Sequence, residues 1–523
     1  MVAGLSNTDN LPNVNVTIND FGLRIAPAAP GPKLTIIGAF KRADGLIPLN
    51  EPLLIDNIGV AMRNLRNVDG SPSDLTLAIE EAVSAGATNV EVVVTDTSVN
   101  TPYSGALASR ASDMYTKLTA TYSKLQHHDV DIVHVAGVYA DGLATGTYTG
   151  VVDDLTAGAA NFTKQLADFC YQQTKESNSA FGVIGTTPVG LVAKQLDWQE
   201  DATSKVTAFE GAAGAWFMTP SLSFTDEYVK YLTEETGDST IFSGVDTSDA
   251  VTGSYPQVKA FLYPDWDAYL FGSVLNPTDP AAPHDTYIAE FQAKESDGTT
   301  LATDGDGNKV DAGAYVSVVG GVSRAFGSEA NKFATAKGAA SLTYINSNGA
   351  AAYAGLLSVT APHIGVTNKN VPPVSQARVI SAAQAKSLIR HRIVALIQKP
   401  AGYVVTSGIT GAFNAGVNSR SDYVRVTTIR TTQAMAEIVR EAGEAFIGKP
   451  ISGPFLAALE SSIDTNLQRA LRRGAIRSYD FAIASTPDQQ VLGEVTIDLS
   501  MVPAFELITI NTTVSLAKGE GIG

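Results

Sequence analysis

The sequence predicts an α/β protein, α+β in its C-terminal part, built from several domains and carrying strand-forming arms at both ends. Three observations predict this. Between residues 31 and 195, short apolar runs alternate with amphipathic helical stretches, the pattern of a mainly parallel sheet covered on both faces. Residues 196–330 replace that pattern with acidic, turn-rich sequence, which reads as an inserted, outward-facing domain. At the two ends, runs with a two-residue period present one apolar face: Val14, Val16 and Ile18 near the start, then Val495, Ile497 and Leu499 followed by Ile508, Ile510, Val514 and Leu516 near the end. A terminal strand of this kind must find a partner edge. Such a chain either closes its own sheet or adds strands to its neighbours.

A chain of 523 residues exceeds one core. With 44% hydrophobic and 17% charged residues, 46 Gly and 23 Pro, it reads as globular and rich in turns. No apolar run is long enough for a membrane span, and the start MVAGLSNTDN lacks the basic and apolar parts of a signal, so synthesis in the cytoplasm is expected. Cys170, the single cysteine, excludes an internal disulfide framework and reads as a core residue within a helix.

In chain order, residues 1–30 form a polar arm stiffened by the Pro-rich piece Ala26–Pro32. Lys33–Phe40 is an apolar strand; Ser73 caps a helix reaching Val83 and ending at Gly86; Val90–Val94 is a buried strand. Arg110–Leu125 reads as helix, Val130–Val135 as strand, Leu155–Gln173 as helix and Phe181–Ile184 as strand, completing a first core part over 31–195. After the insertion at 196–330, an Ala- and Gly-rich segment over 331–375 returns to the core. An inner α/β domain over 376–490 follows. There Ser381 and Gln384 suggest a capping box before a helical face of Leu388, Ile389, Ile393, Leu396 and Ile397. Tyr423–Ile429 reads as a strand, Met435 to Phe446 as a helix, and Leu456, Leu459, Ile463, Leu467 and Leu471 line another. Residues 491–523 hold the closing strands, interrupted at Met501-Val502-Pro503, where the proline points to a sheet edge or a crossing segment.

Charge is unevenly spread within a net of -17. From Arg378 to Arg477 there are 14 Lys and Arg against 6 Asp and Glu, whereas Leu196 to Ala330 holds 6 basic and 22 acidic residues. Solvated faces would produce this pattern, and so would complementary surfaces in an assembly. Arg469, Arg472 and Arg473 close a helix whose dipole suits cations, and they also make a candidate contact surface. The basic part lacks interleaved aromatics and a nucleic-acid motif. In HHDVDIVH (His127–His134) the two adjacent histidines diverge and the third lies within a strand, which argues against a metal set. DGDGN (Asp304–Asn308) opens like a calcium loop but has Lys309 and Tyr315 where the glycine and the acid belong. Phosphate-loop, dinucleotide, nucleophile-elbow and zinc-helix motifs do not occur. No catalytic residue, metal or cofactor is expected; a hydrolase would need a nucleophile near His134 or His363, and a binding module would use the basic face.

Four stretches resemble the contractile tail sheath proteins of tailed bacteriophages and related contractile injection systems. They are LTIIGAFKRADGLIPLNEPLLIDN (34–57), AAYAGLLSVTAPHIGVTNKNVPPV (351–374), DYVRVTTIRTTQAMAEIV (422–439) and GEVTIDLSMVPAFELITINTTVSL (493–516). The resemblance implies a subtilisin-like α/β core without protease activity, in a virion tail. It further implies hexameric rings stacked helically around a tail tube, with baseplate and tail terminator as partners and no nucleic acid or membrane insertion. Strand exchange by both arms is implied too, placing Val14, Val16, Ile18, Ile508, Ile510 and Val514 in neighbouring subunits. Arg469, Arg472 and Arg473 would face the tube or an adjacent subunit.

Overall fold

A computed structural model describes residues 32–40, 47–55, 57–67, 72–96, 107–126, 128–140, 162–175, 178–185, 209–210, 216–217, 293, 300, 302–303, 310–320, 323–326, 344–372, 374–376, 385, 389, 392–400, 402–412 and 422–508. The elements that build the core begin with β1 (Leu34–Ala39), β2 (Pro52–Leu54), α1 (Ile58–Asn64), α2 (Asp74–Ser84) and β3 (Val90–Asp96). They continue through α3 (Leu107–Leu125), β4 (Ile132–Tyr139), α4 (Phe162–Lys175) and β5 (Phe181–Gly185). Two-residue strands β6 (Phe209–Glu210) and β7 (Trp216–Phe217) pair with each other. Then come β8 (Val316–Gly320), β9 (Ser323–Phe326), β10 (Tyr344–Ser347), α5 (Ala350–Ser358), β11 (Val374–Gln376), β12 (Ile393–Lys399) and β13 (Gly402–Val405).

Eight strands form one sheet in the order β13-β12-β8-β5-β4-β1-β3-β2. The six inner strands run parallel, and β2 and β13 close the two edges antiparallel. Because side chains alternate across a strand, each apolar run feeds two cores. Leu34, Ile36, Val92, Val183, Val394 and Leu396 pack against α2 and α5 on one face. Ile37, Val93, Val133, Ile184, Val318 and Ile393 pack against α3 and α4 on the other. The result is a three-layer arrangement.

Local chemistry sets the helix ends. Ser73 caps α2 in a reciprocal box with Thr76: Thr76 N–H donates to Ser73 Oγ (3.2 Å) and Ser73 N–H to Thr76 Oγ1 (2.9 Å). Gly86, at φ +112°, turns the chain out of that helix, as its position in the sequence predicts. α5 is buried all round, and Gly355 brings it so close to α2 that an added Cβ would lie 2.3 Å from the Ala82 carbonyl oxygen. Cys170 is fully buried in the second core.

Two sequence expectations, one for the sheet and one for the helix that follows it, are overturned. The helical face drawn through Ile393, Leu396 and Ile397 is strand β12, lying between β8 and β13. A continuous apolar run fits a doubly buried strand as well as a helix, and Arg392, in the left-handed region at φ +64°, ends any helix just before it. Likewise Tyr423–Ile429 is no strand. Residues 422–424 make one 3-10 turn and helix α6 (Val426–Glu444) starts at once. Its β-branched opening favours a strand by propensity, but helical spacing puts Val426 and Ile429 together in the first core, and burial outweighs propensity. Arg430 and Gln433 on the same helix then reach backbone carbonyls, Arg430 Nη2 to Thr360 O (3.2 Å) and Gln433 Nε2 to Ala180 O (2.9 Å).

Most of the acidic stretch 196–330 lies outside the described residues, as do Leu155–Asn161, Ser381–Gln384 and Asp304–Asn308. Within that stretch, β8 is already part of the central sheet.

Candidate intersubunit surface

The C-terminal half of α6 leaves the sheet and builds a third, smaller core with α7 (Gly453–Arg472), β14 (Ile476–Ala484) and β15 (Thr496–Pro503), the short helix α8 (Pro487–Leu492) lying between the two strands. Ser452 caps α7 by accepting from Phe455 N–H, and Pro454 suits its first turn. Leu459, Ile463 and Leu467 are buried as their spacing predicts, while Leu471 is 39% exposed. The α8 turn between the strands has its own box, Thr486 with Gln489, and closes on Gly493 at φ +76°.

β14 and β15 form a long antiparallel hairpin, with Phe481 opposite Leu499 and Ile483 opposite Ile497. Tyr479, Phe481, Ile483, Ile497, Leu499 and Met501 turn to the helices, and Tyr479 Oη donates to Asp464 Oδ1 of α7 at 2.6 Å. Ser478, Asp480, Ala482, Asp498 and Ser500 face solvent. The sheet stops at two strands, so among the described residues both outer edges keep their backbone donors and acceptors unpaired by another strand. The interruption expected at Met501-Val502-Pro503 is not there: β15 runs on through Met501 and Val502 and ends at Pro503, opposite Ile476, where the missing N–H costs the ladder least.

Beyond Pro503 the backbone is irregular to Ile508, and Phe505, Leu507 and Ile508 are 62%, 75% and 52% exposed. Ile508 is thus the described member of the C-terminal arm set. Val14, Val16, Ile18, Ile510 and Val514 lie outside the described residues. Arg469, Arg472 and Arg473 come together at the exposed end of α7. Arg469 Nη1 donates to Asn466 Oδ1 (3.2 Å) and Arg472 Nη2 to Gln468 Oε1 (3.3 Å), both neutral partners, and among the described residues neither arginine has an ion pair.

The histidine cluster is taken apart by the fold. His128 Nε2 lies 2.9 and 3.1 Å from the two Glu91 carboxylate oxygens, with Lys33 Nζ 3.8 Å from the same group. His134 is buried in β4 with Nδ1 3.0 Å from Val183 O, and burial pulls its pKa down to about 4, so the ring is neutral and donates there. His127 lies outside the described residues. Among the described residues no group of three or more His, Cys, Asp or Glu is placed to hold a metal ion, and no helix is long and apolar enough to cross a membrane.

Sequence reasoning missed β14, although Tyr479, Phe481 and Ile483 alternate with Ser478, Asp480 and Ala482. It also missed Glu506, whose setting no local pattern announces.

Fold and surface together define an α/β protein whose C-terminal module displays an unfinished two-stranded sheet. No family model matches the sequence, and no curated protein matches it. Among solved structures, the chain is similar to one from the baseplate of the anti-feeding prophage, at 9% identity and TM-score 0.49 over 98% of this chain and 100% of that one. It is similar to the sheath complex of an extracellular contractile injection system in the contracted state, at 10% identity and TM-score 0.48 over 98% and 99%. A sheath tail protein from Listeria innocua matches at 7% identity and TM-score 0.47 over 92% and 93%. All three superpositions fall below a TM-score of 0.5 and record a likeness in shape only.

Proposed function

We propose that this chain is the structural subunit of a contractile tail sheath, in a phage tail or a phage-like injection system. The observation that carries the reading is the β14–β15 hairpin, a two-stranded sheet with both edges open among the described residues, followed by exposed apolar residues that lead into the alternating run Ile508–Leu516. Open edges and spare strands in one chain are complementary. A strand from one copy completes the sheet of the next by main-chain hydrogen bonds, and its alternate side chains set the register.

In this reading the arms at 1–30 and 504–523 enter neighbouring hairpins, with Val14, Val16, Ile18, Ile508, Ile510 and Val514 as the inward side chains. Subunits form hexameric rings stacked around a tail tube, between a baseplate and a tail terminator, within the virion. Arg469, Arg472 and Arg473 face the tube or an adjacent subunit. The three-layer core is the subtilisin-like body of the subunit, and the acidic residues 196–330 form its outer domain. The role is structural, without catalysis or cofactor. Contraction re-packs these bodies rigidly while the exchanged strands act as hinges, driving the tube through the host envelope.

Electron microscopy of the purified full chain, beside a truncation lacking residues 509–523, tests the reading. Tubes or stacked rings from the full chain, lost on truncation, are expected. Equal polymers from both, or no polymer from the full chain even with tube protein added, would sink it.

A further inference from the structure

In the five residues after β15, the usual distribution of polarity is inverted. Phe505, Leu507 and Ile508 face solvent, while Glu506 turns inward. Its carboxylate lies flat on Gly365: a Cβ added there would sit 2.0 Å from Oε1 and 2.3 Å from Cδ, so only a bare Cα leaves room. Burial, the largest cause, lowers the pKa of both Lys369 and Arg425, and the Glu506 charge opposes that in each, so both cations feel the carboxylate without an ion pair to it among the described residues. Both cations are held from behind, Lys369 Nζ 3.5 Å from Thr360 Oγ1 and Arg425 Nη1 donating to Ser407 Oγ. Glu506 Oε2 is buried and accepts no hydrogen bond among the described residues. Its fit on Gly365 holds this side chain, with two cations in electrostatic reach.

A tail with no fixed path would bury its three apolar side chains and leave the carboxylate in water. We propose that Glu506 is a latch, seated on Gly365 in reach of the charges of Lys369 and Arg425, that fixes where the C-terminal arm leaves the subunit and keeps Phe505, Leu507 and Ile508 turned outward. Two weaker contacts lie at its base: Ala504 N–H donates to Ala475 O (3.1 Å), and the Arg477 guanidinium stands 5.9 Å from the Phe505 ring centroid. Neither reaches past residue 505. The latch concerns one copy of the chain and goes beyond the sheath reading.

Chymotrypsin cleavage after Phe505 and Leu507, followed by mass spectrometry on the full chain before any assembly, reads the latch directly. Glu506→Gln removes the charge. Gly365→Ala keeps every charge and evicts the carboxylate by volume, against the mobile end of one side chain, so the fold is kept. Each is expected to speed cleavage at these two bonds about tenfold, since cleavage follows the population of the open segment, with cleavage elsewhere unchanged. The exchange Glu506→Lys with Lys369→Glu is expected to slow it again. Wild-type rates in both single variants would overturn the latch. Normal latch behaviour in a chain that never polymerises would count against the sheath reading alone.

Discussion

Ser347 donates its hydroxyl to the buried carboxyl of Glu81, with the two Glu81 oxygens 2.9 and 3.0 Å away. The same Ser347 oxygen accepts from Gly349 N–H, just before α5 begins, so one serine ties α2 to the start of the helix packed against it. Burial raises the Glu81 pKa from the usual 4.5 to about 7, with the bonds from Ser347 and the Ala352 backbone pulling partly the other way.

A raised carboxyl pKa means that the fold prefers the protonated form. The associated stability is complete below about pH 4.5 and is lost as pH rises through about 7. Since each tenfold change in an ionisation equilibrium corresponds to roughly 1.4 kcal/mol, keeping this carboxylate ionised inside the fold costs on the order of 3 kcal/mol. Glu81→Gln is therefore expected to match the wild type near pH 5 and to exceed it in stability at pH 8. Urea midpoints at the two pH values check this, and parallel pH profiles for the two proteins would reject it.

Two glycines with opposite surroundings give a paired prediction. Gly355 of α5 faces Ala82 of α2, whose carbonyl oxygen and Cα would be 2.3 and 2.9 Å from a new Cβ. Backbone cannot yield as a side chain can. Gly355→Ala should destabilise by roughly 1–3 kcal/mol. Gly443 lies in α6 with nothing within 4 Å of an added Cβ, and Gly443→Ala should stabilise by roughly 0.5–1 kcal/mol. Denaturant unfolding of both variants checks the signs.

The first half of the core was legible because its signals were local and agreed. Ser73 with its helix, Gly86 beyond it, and the short runs at Leu34, Val90 and Phe181 each carry one meaning. Legibility failed where two meanings share one pattern. Ile393–Lys399 satisfies both a helix and a doubly buried strand, and only the neighbouring strands β8 and β13 decide. The threonines after Val426 favour a strand by propensity, yet they lie buried in the first turns of α6. For the surface, alternation pointed to the arms and the charge count to Arg469, Arg472 and Arg473. The seat of Glu506 was invisible, because Gly365 meets it only through the fold.

The hairpin is pinned to its helices by Tyr479, whose hydroxyl donates to Asp464 Oδ1 at 2.6 Å. A hydrogen bond to a carboxylate is worth roughly 1.5–3 kcal/mol, and Tyr479→Phe removes it while keeping the ring against Phe481. Faster amide exchange in β14 and β15, with α2 and β1 unchanged, is the expected outcome. Uniform exchange changes across the chain would show that the bond does not act on the module specifically.

Arg472→Glu combined with Arg473→Glu separates the two readings of the basic end of α7. As helix-terminal charges alone, the two arginines contribute roughly 0.3–1 kcal/mol each through the dipole, and their reversal would only lower the unfolding midpoint slightly. As a contact surface they meet an acidic partner, because the bonds that Arg469 and Arg472 make within the subunit go to neutral amides and leave the charge available. Reversal should then weaken assembly by at least about tenfold at low salt, and the wild type should show a loss in the same direction as salt is raised. Co-sedimentation of both proteins across a salt series measures this. Identical curves would assign the arginines to the helix end and remove them from the contact surface.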